Sequence, residues 1–418
     1  MMTRTTLIDL LHHAREHSAY YREHYKSIPD HGTLEDFPLV EPSHYWEHSN
    51  DLQTWPVLTA PLEGGHVFKT GGSTSDGRLS VFSQQEWQAF IAAFGQGIAR
   101  QLKRGDRVAN LFFAGDLYTS FLFIHGALSN APLPIIEFPF TCKVEDELLI
   151  HNIRLHNINV LAGVPVQLIR LAHSLQERGQ TLPMVETILY GGESLFDAQI
   201  AVIQQVFPHA HLGSIGCASV DAGLIGFADP ECRQGEHRVF SDDTIVEIVD
   251  EITHQPITEP GKSGLLVVTN LQRRLMPVIR YPTGDLACWC EPEQPNRKFA
   301  LQGRANQGYR IRFGTLSLFP DDLATQLSQQ TELLAWQLEL SQKAGQDQIR
   351  LLVASLQTVD IDKIRHRVMT AFPNLAEACL QQNMLEIVQT HIDDMYTHPR
   401  SGKLQRVVDL RRYTCRYN

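Results

Sequence analysis

Apolar positions follow a helical period from the start of the chain, with Leu7, Leu10, Leu11 and Ala14 on one face of an amphipathic helix. Further on, Leu79-Ser80-Val81-Phe82 alternates as a strand does. A helix follows at once. Ser83 and Glu86 form an S-x-x-E capping box, and Trp87, Phe90, Ile91, Phe94, Ile98 and Leu102 line one face. The next segments alternate between the two periods: 108–113, 133–136, 159–162 and 185–189 read as strands, and 118–128, 165–175 and 198–206 as helices. Such alternation predicts an α/β fold in which β-sheets are covered by helices. After residue 223 the texture shifts toward strands, clearest at 244–249 and 265–269, separated by Pro256, Pro260, Gly261 and Gly264. From about Gly303 it changes again, to a short αβ module with a helix at 361–369 and a strand at 385–390. A polar gap at 291–298, with two prolines, precedes that module, and no internal repeat is visible.

Length and charge narrow the function classes. The 418 residues suffice for roughly two or three domains. A net charge of −11 argues against nucleic acid as the main partner, which would need a basic face. It leaves room for a small anionic ligand, since a site needs only local positive potential. The most apolar window, 117–136, is broken by Thr119, Ser120, His125, Ser129 and Asn130, so no membrane span is expected. The first residues, Met1-Met2-Thr3-Arg4-Thr5-Thr6, have no apolar core like that of a signal peptide. Seven cysteines, an odd number, fit a reducing cytoplasmic setting better than a disulfide framework.

The segment Lys69-Thr70-Gly71-Gly72-Ser73-Thr74-Ser75-Asp76-Gly77-Arg78 packs three glycines, four hydroxyls and two cations together. Glycines let backbone N–H groups turn toward an anion, hydroxyls add donors, and cations add charge. The composition suits a loop around a polyphosphate, and equally a flexible surface turn. It is not a Walker loop: Arg78 and Leu79 stand where Lys and a hydroxyl are needed, and a strand rather than a helix follows. Three later segments complement it. Asp285, in Tyr281-Pro282-Thr283-Gly284-Asp285-Leu286, has a carboxylate beside a glycine turn, able to accept from both hydroxyls of a ribose. Gly303-Arg304 marks the second change of texture, and Pro399-Arg400-Ser401-Gly402-Lys403 presents a glycine-flanked lysine near the chain end. Taken singly, each is as readily a solvated turn.

In this order the segments resemble the AMP-forming adenylating superfamily of acyl- and aryl-CoA ligases, peptide-synthetase adenylation domains and luciferases. Its phosphate loop, [ST]-[ST]-G-T-T-G-x-P-K, is matched in register by Thr70 to Arg78. Its Y-R-T-G-D is matched by Tyr281 to Asp285, its G-R-x-D hinge by Gly303-Arg304-Ala305-Asn306, and its terminal G-K by Gly402-Lys403. The match runs over nearly the whole chain. Within the superfamily the chain is most similar to the phenylacetate–CoA ligase group. It shares the opening Leu10-Leu11-His12-His13-Ala14-Arg15 with Ala19-Tyr20-Tyr21-Arg22, then Ile124-His125-Gly126-Ala127, Met276-Pro277-Val278-Ile279-Arg280-Tyr281 and Arg400-Ser401-Gly402-Lys403.

The resemblance implies a large ATP- and carboxylate-binding domain over residues 1–303 and a small mobile C-terminal αβ lid over 304–418. It implies ATP-dependent activation of an organic, aromatic acid to an acyl-adenylate, with magnesium, followed by transfer to CoA or another thiol or amine. Lys403 is then the catalytic cation bridging carboxylate and α-phosphate. Thr70, Gly72, Ser73, Thr74, Ser75 and Arg78 hold the pyrophosphate, Asp285 and Arg304 the ribose, and Gly191-Gly192-Glu193 lie against adenine. The chain departs from the pattern at three places. Arg78 replaces the loop lysine, Asn306 the hinge acid, and Ser219 the magnesium-side glutamate of Y-G-x-[ST]-E, leaving Asp221 as the nearby acid for magnesium or as a solvated loop carboxylate. Cys232, His237, Cys288 and Cys290 correspond to places where some members of the group carry a structural zinc. Three sulfurs and a nitrogen suit tetrahedral zinc, although the spacing is not a C-x-x-C pair and buried free cysteines are the default reading. Partners are thus a small carboxylic acid and ATP, without nucleic acid or membrane, and a homodimer is compatible. The competing expectation is a catalytically impaired relative that binds an acyl-AMP or CoA-type ligand, which Ser219 favours and Lys403, Asp285 and Arg304 oppose.

Overall fold

Short runs that bury both faces, Val160–Gly163 and Thr187–Tyr190 above all, form the middle of a parallel sheet because neither face can meet water cheaply, while the strands at its edges stay partly exposed. The computed structural model describes residues 7–411 apart from 30–31, 71–77, 196, 306–310, 314–315, 319, 329–332, 344–345, 374, 377–378, 380–384 and 400. The chain opens with helices α1 (Leu7–His17), α2 (Ala19–His24) and α3 (Pro42–Tyr45), and a hairpin of β1 (His66–Lys69) and β2 (Leu79–Phe82). Helix α4 (Gln84–Ile98) starts at the expected capping box: the Ser83 side chain accepts from the Glu86 N–H and the Glu86 carboxylate from the Ser83 N–H.

Then come β3 (Arg107–Asn110), α5 (Ser120–Ser129), β4 (Ile136–Pro139), α6 (Asp146–Leu155), β5 (Val160–Gly163), α7 (Pro165–Glu177), β6 (Thr187–Tyr190), α8 (Asp197–Val206) and β7 (His211–Ser214). The strands form a parallel sheet in the order β4-β3-β5-β6-β7. Seven antiparallel strands follow: β8 (Cys217–Ser219), β9 (Gly223–Phe227), β10 (Glu236–Val239), β11 (Thr244–Val249), β12 (Ser263–Asn270), β13 (Val278–Trp289) and β14 (Lys298–Arg304), ordered β11-β12-β13-β14-β10-β9-β8. The remaining residues give a hairpin of β15 (Ile311–Phe313) and β16 (Leu316–Leu318), helix α9 (Pro320–Ser328), strands β17 (Leu333–Lys343) and β18 (Gln346–Ser355), helix α10 (Ile361–Ala371), and strands β19 (Leu385–Thr390) and β20 (Val407–Asp409). These last four strands pair as β19-β18-β17-β20. The α/β class expected from the sequence is the class observed. Among the described residues no helix is long and apolar enough to cross a membrane.

The residues group into two units. One contains Met1–Val164, Pro183–Ser194 and His209–Ala305; the other contains Pro165–Leu182, Leu195–Pro208 and Asn306–Asn418, so α7 and α8 belong with the later strands. In the first unit the N-terminal helices and the turns around them supply aromatic rings to the core of the antiparallel sheet: Tyr21, Tyr25, Tyr45 and Trp55 share one buried cluster with Val268, Ile279 and Trp289. The hydroxyls of Tyr21 and Tyr45 both donate to the Pro277 carbonyl at 2.9 Å, so burying these tyrosines leaves neither hydroxyl unpaired. Arg280 is also buried there. It forms a two-pronged pair with Glu247 at 2.9 and 3.1 Å and donates to the Phe37 carbonyl at 2.6 Å. In the second unit α9 and α10 cover a core of Leu338, Leu351, Val353, Ile364 and Val368.

Candidate active site

In open parallel sheets ligands bind outside the carboxyl ends of the strands, near the point where strand order reverses. Here that point lies between β3 and β5. Gly191-Gly192-Glu193 leaves the carboxyl end of β6, beside the end of β7 at Ile215. Both glycines are required. A Cβ on Gly191 would stand 2.6 Å from the Ile215 Cγ2, and Gly192 has φ +87°. Gly191 is buried, Gly192 exposed and Glu193 half-buried, giving a flat backbone shelf with a carboxylate at its end.

Past Ile215 the chain enters β8 and turns at Ser219–Ala222. The Ala222 N–H is shared between Ser219 Oγ and Asp221 Oδ1, each at 3.0 Å. Asp221 Oδ2 accepts from the Tyr281 hydroxyl at 3.0 Å, and that hydroxyl accepts from Trp46 Nε1 at 3.0 Å. Burial first, and then the Asp221 charge, hold the Tyr281 pKa well above the usual tyrosine range, so the phenol stays a neutral donor. The Arg78 guanidinium lies 5.5 Å from the Trp46 ring centroid. Arg78 in turn closes the glycine-rich segment: its N–H donates to Thr70 Oγ1 at 2.9 Å, and its carbonyl accepts from the Thr70 N–H at 2.9 Å. Gly72, Ser73, Thr74 and Ser75 lie outside the described residues. Contacts therefore run from Asp221 through Tyr281 and Trp46 to Arg78 and the neck of the loop at Thr70, and the chain leads from the shelf at Gly191 through β7 and β8 to Asp221.

Tyr281-Pro282-Thr283-Gly284-Asp285 lies within the long strand β13, where sequence reading expected a glycine turn. The positive φ of Gly284 (+81°) and the irregular pairing along β13 give the segment its turn-like sequence without breaking the strand. Asp285 is half-buried and its N–H donates to Thr283 Oγ1 at 3.2 Å. Its cross-strand partner on β14 is Arg304, so the structure brings the two expected ribose contacts into register. Asn306 lies outside the described residues.

Lys403 belongs to the second unit. Thr397 pairs with Leu404 in an isolated bridge, and the His398 N–H donates to the Lys403 carbonyl at 2.8 Å. Gly402, at φ +63°, closes this turn and leaves Lys403 half-buried just ahead of β20.

The four residues expected to hold zinc are not brought together. His237 pairs across β14 with Phe299, whereas Cys288 pairs with Ala300. Alternation along a strand therefore sends His237 and Cys288 to opposite faces of the sheet. His237 is buried, its Nε2 lies 2.8 Å from Ser214 Oγ, and burial lowers its pKa to about 4. Cys288 receives a hydrogen bond from Gln302 Nε2 at 3.1 Å, and burial pushes the thiols of Cys232 and Cys290 up to about 11. A Cys3His donor set does not fit these positions, and His237 is a core histidine.

Sequence reasoning missed Trp46 and Arg273. Arg273 is fully buried. Its Nη2 donates to the Val81 carbonyl at 2.8 Å and its guanidinium lies 3.7 Å from the Phe82 ring centroid. Burial lowers its pKa, while Glu86, Tyr45 and Asp221 act in the opposite sense. No motif marks either residue; only the fold brings both to the Tyr281 network.

No protein-family model matches the chain. Over 402 residues it is 22% identical to a phenylacetate-coenzyme A ligase of Thermus thermophilus, covering 91% of this chain and 88% of that protein. It is 24% identical over 317 residues to an indoleacetate–lysine synthetase of Pseudomonas savastanoi, covering 73% and 74%. Its fold matches 2-hydroxyisobutyryl-CoA ligase, solved in the postadenylation state with 2-HIB-AMP, at a TM-score of 0.71 and 17% identity over 97% of this chain and 91% of that one. The chain is similar over most of its length to members of the AMP-forming adenylating superfamily. Against that superfamily's pattern it carries Ser219 where a glutamate is expected, and the nearby Asp221 side chain is engaged by Tyr281.

Proposed function

We propose that the protein is an AMP-forming ligase that activates an organic carboxylic acid with ATP and passes the acyl group to a thiol or amine. A carboxylate oxygen attacks the α-phosphorus, pyrophosphate leaves with the electron pair of the broken P–O bond, and the acyl-AMP anhydride remains. The acceptor's sulfur or nitrogen then attacks the acyl carbon and AMP leaves. Catalysis of such a step is positioning and charge neutralisation. Asp285 and Arg304 hold the ribose, Gly191–Glu193 the adenine, and Thr70 to Arg78 the departing pyrophosphate. Lys403 supplies a cation to the oxygens where charge develops. The module beyond residue 303 acts as the lid that carries Lys403 in and out.

The observation that carries this reading is the register of Asp285 with Arg304, joined through Tyr281, Asp221 and Trp46 to the neck of the loop at Arg78. The acid is an aryl-acetic type. Both curated relatives are named for one, phenylacetate and indoleacetate, and Phe138 and Phe140 stack at the carboxyl end of β4 with centroids 6.3 Å apart. The same two names make CoA and the lysine amine the acceptors to try.

At Ser219–Ala222 the Asp221 carboxylate is the one acid, and each of its oxygens accepts a single hydrogen bond, which leaves lone pairs that could meet a magnesium ion directly or through water. Magnesium enters with ATP as part of the substrate, and no step is assigned to a protein-held metal. Ser219 also motivates a second reading, a protein that binds acyl-AMP without making it. Pyrophosphate release, screened over aliphatic, benzoic and aryl-acetic acids with CoA or lysine present, separates the two. Release with an aryl-acetic acid supports the ligase. Tight binding of a non-hydrolysable acyl-AMP analogue with no release for any acid supports the second reading.

A further inference from the structure

Away from the adenylating site, the second unit gathers a group of side chains that the proposed reaction does not use. His173 and Glu177 stand one helical turn apart on α7, and His391 lies directly after β19. One ring nitrogen from each histidine and a Glu177 carboxylate oxygen all lie within 4.8 Å of one another. The two imidazoles meet edge to face with centroids 4.6 Å apart, and His173 Nδ1 is 3.8 Å from the Glu177 carboxylate.

We propose that His173, Glu177 and His391 form a binding site for a divalent transition-metal ion of the zinc type. Two imidazoles and one carboxylate, with the remaining position open to water, are a recurrent zinc donor set. Residues four apart on a helix face the same side, so α7 supplies two ligands without strain. His391 is arranged as a ligand histidine is. Its Nδ1 lies 3.1 Å from Asp393 Oδ2, and Asp393 Oδ1 lies 2.9 Å from Arg170 Nε. The His391 Nδ1 also accepts from the Asp393 N–H at 3.3 Å, so Nδ1 is occupied within its own turn and Nε2 is the nitrogen left for an ion. Asp393 is thus a positioning residue, and it offsets the Arg170 charge that would otherwise repel a cation. Glu177 is 64% exposed at its side chain, so it can move the remaining distance to close the donor triangle. The bound ion would tie α7 to the segment Ile392–Asp394, both in the second unit.

The full-length protein, stripped of metal with a chelator, is titrated with zinc by calorimetry and with cobalt by absorption spectroscopy. The expected result is about one site per chain, with cobalt spectra lacking the sulfur-to-metal charge-transfer band that Cys232, Cys288 or Cys290 would give. His391→Ala and Glu177→Gln change exposed side chains and should fold normally. Each should weaken zinc binding by on the order of a hundredfold, and Asp393→Asn by roughly tenfold or more. Zinc affinity unchanged in His391→Ala and Glu177→Gln, no binding by wild type, or a cobalt spectrum dominated by sulfur ligation would each overturn the assignment.

Discussion

Glu86 binds two distant parts of the first unit with one carboxylate, which makes its removal unusually informative. Oε2 accepts from the Ser83 N–H at 2.8 Å, closing the cap of α4. Oε1 accepts from the Arg274 and Leu275 N–H groups at 2.6 and 2.7 Å, holding the segment that leads into β13 and so to Tyr281. Glu86 is 7% exposed, and its charge also acts on the fully buried Arg273. A hydrogen bond to a charged group contributes about 1.5–3 kcal/mol, and breaking a buried charge pair costs about 3–5 kcal/mol. These contributions overlap, so Glu86→Ala should destabilise the unit by about 4 kcal/mol. Glu86→Gln keeps an acceptor for Arg274 and Leu275 but loses the charge and the Ser83 bond, and should cost about half as much. Urea unfolding followed by tryptophan fluorescence reads this directly, since Trp46, Trp55, Trp87 and Trp289 all lie in the first unit. If both variants unfolded within about 0.5 kcal/mol of wild type, the range for an ordinary surface change, the carboxylate would not be the tie described.

Asp285→Ala should weaken ATP binding by about 1.5–3 kcal/mol, the scale for losing a charged acceptor, while unfolding stays near wild type; unchanged ATP affinity by calorimetry would remove Asp285 as the ribose anchor. Lys403→Ala should slow adenylate formation about a hundredfold or more and spare both ATP affinity and the conversion of preformed acyl-AMP, since it meets charge only as that charge develops. Loss of ATP binding instead would make Lys403 a phosphate anchor. His237 titrates near 6.5 when unfolded and at about 4 in the fold, so the unfolded chain binds the extra proton between these values. Its stability contribution is complete above pH 6.5 and falls away toward pH 4, by about 3 kcal/mol at 1.36 kcal/mol per pH unit. His237→Gln should flatten that part of the stability–pH curve; an unchanged curve would show that His237 is solvated.

Much of this fold could be read from local pattern because its elements declare themselves locally. The capping box at Ser83 and Glu86 starts α4 as expected, and strands 244–249 and 385–390 fall where alternation placed them. Helix α6 and the long hairpin of β17 and β18 went unread although their periods are present in the sequence, with Leu149, Ile150 and Ile153 on one helix face and Trp336, Leu338, Leu340, Ile349, Leu351 and Val353 alternating. The strand at Ile136–Pro139 lies later than the expected 133–136, its two prolines, Pro132 and Pro134, preceding it. The site divides in the same way. Asp285, Arg304, Gly191 and Gly192 sit in motifs whose backbone demands show in the sequence. Trp46 and Arg273 do not, because a tryptophan beside a short helix or an arginine in a polar run gains meaning only when the fold sets it against Tyr281 or Phe82. His237 shows the converse error. Its residue type suggested a metal ligand, and the alternation of β10 directs it away from the cysteines.

The central claim is that a carboxylate oxygen of the substrate attacks the α-phosphorus of ATP. The direct measurement is to supply an aryl-acetic acid labelled with oxygen-18 in its carboxylate, together with ATP and CoA or lysine, and to weigh the nucleotide product by mass spectrometry. AMP carrying one heavy oxygen is expected, because the bridging oxygen of the acyl-AMP stays with phosphorus when the acceptor takes the acyl group. Unlabelled AMP, or ADP with inorganic phosphate in place of AMP and pyrophosphate, would contradict it.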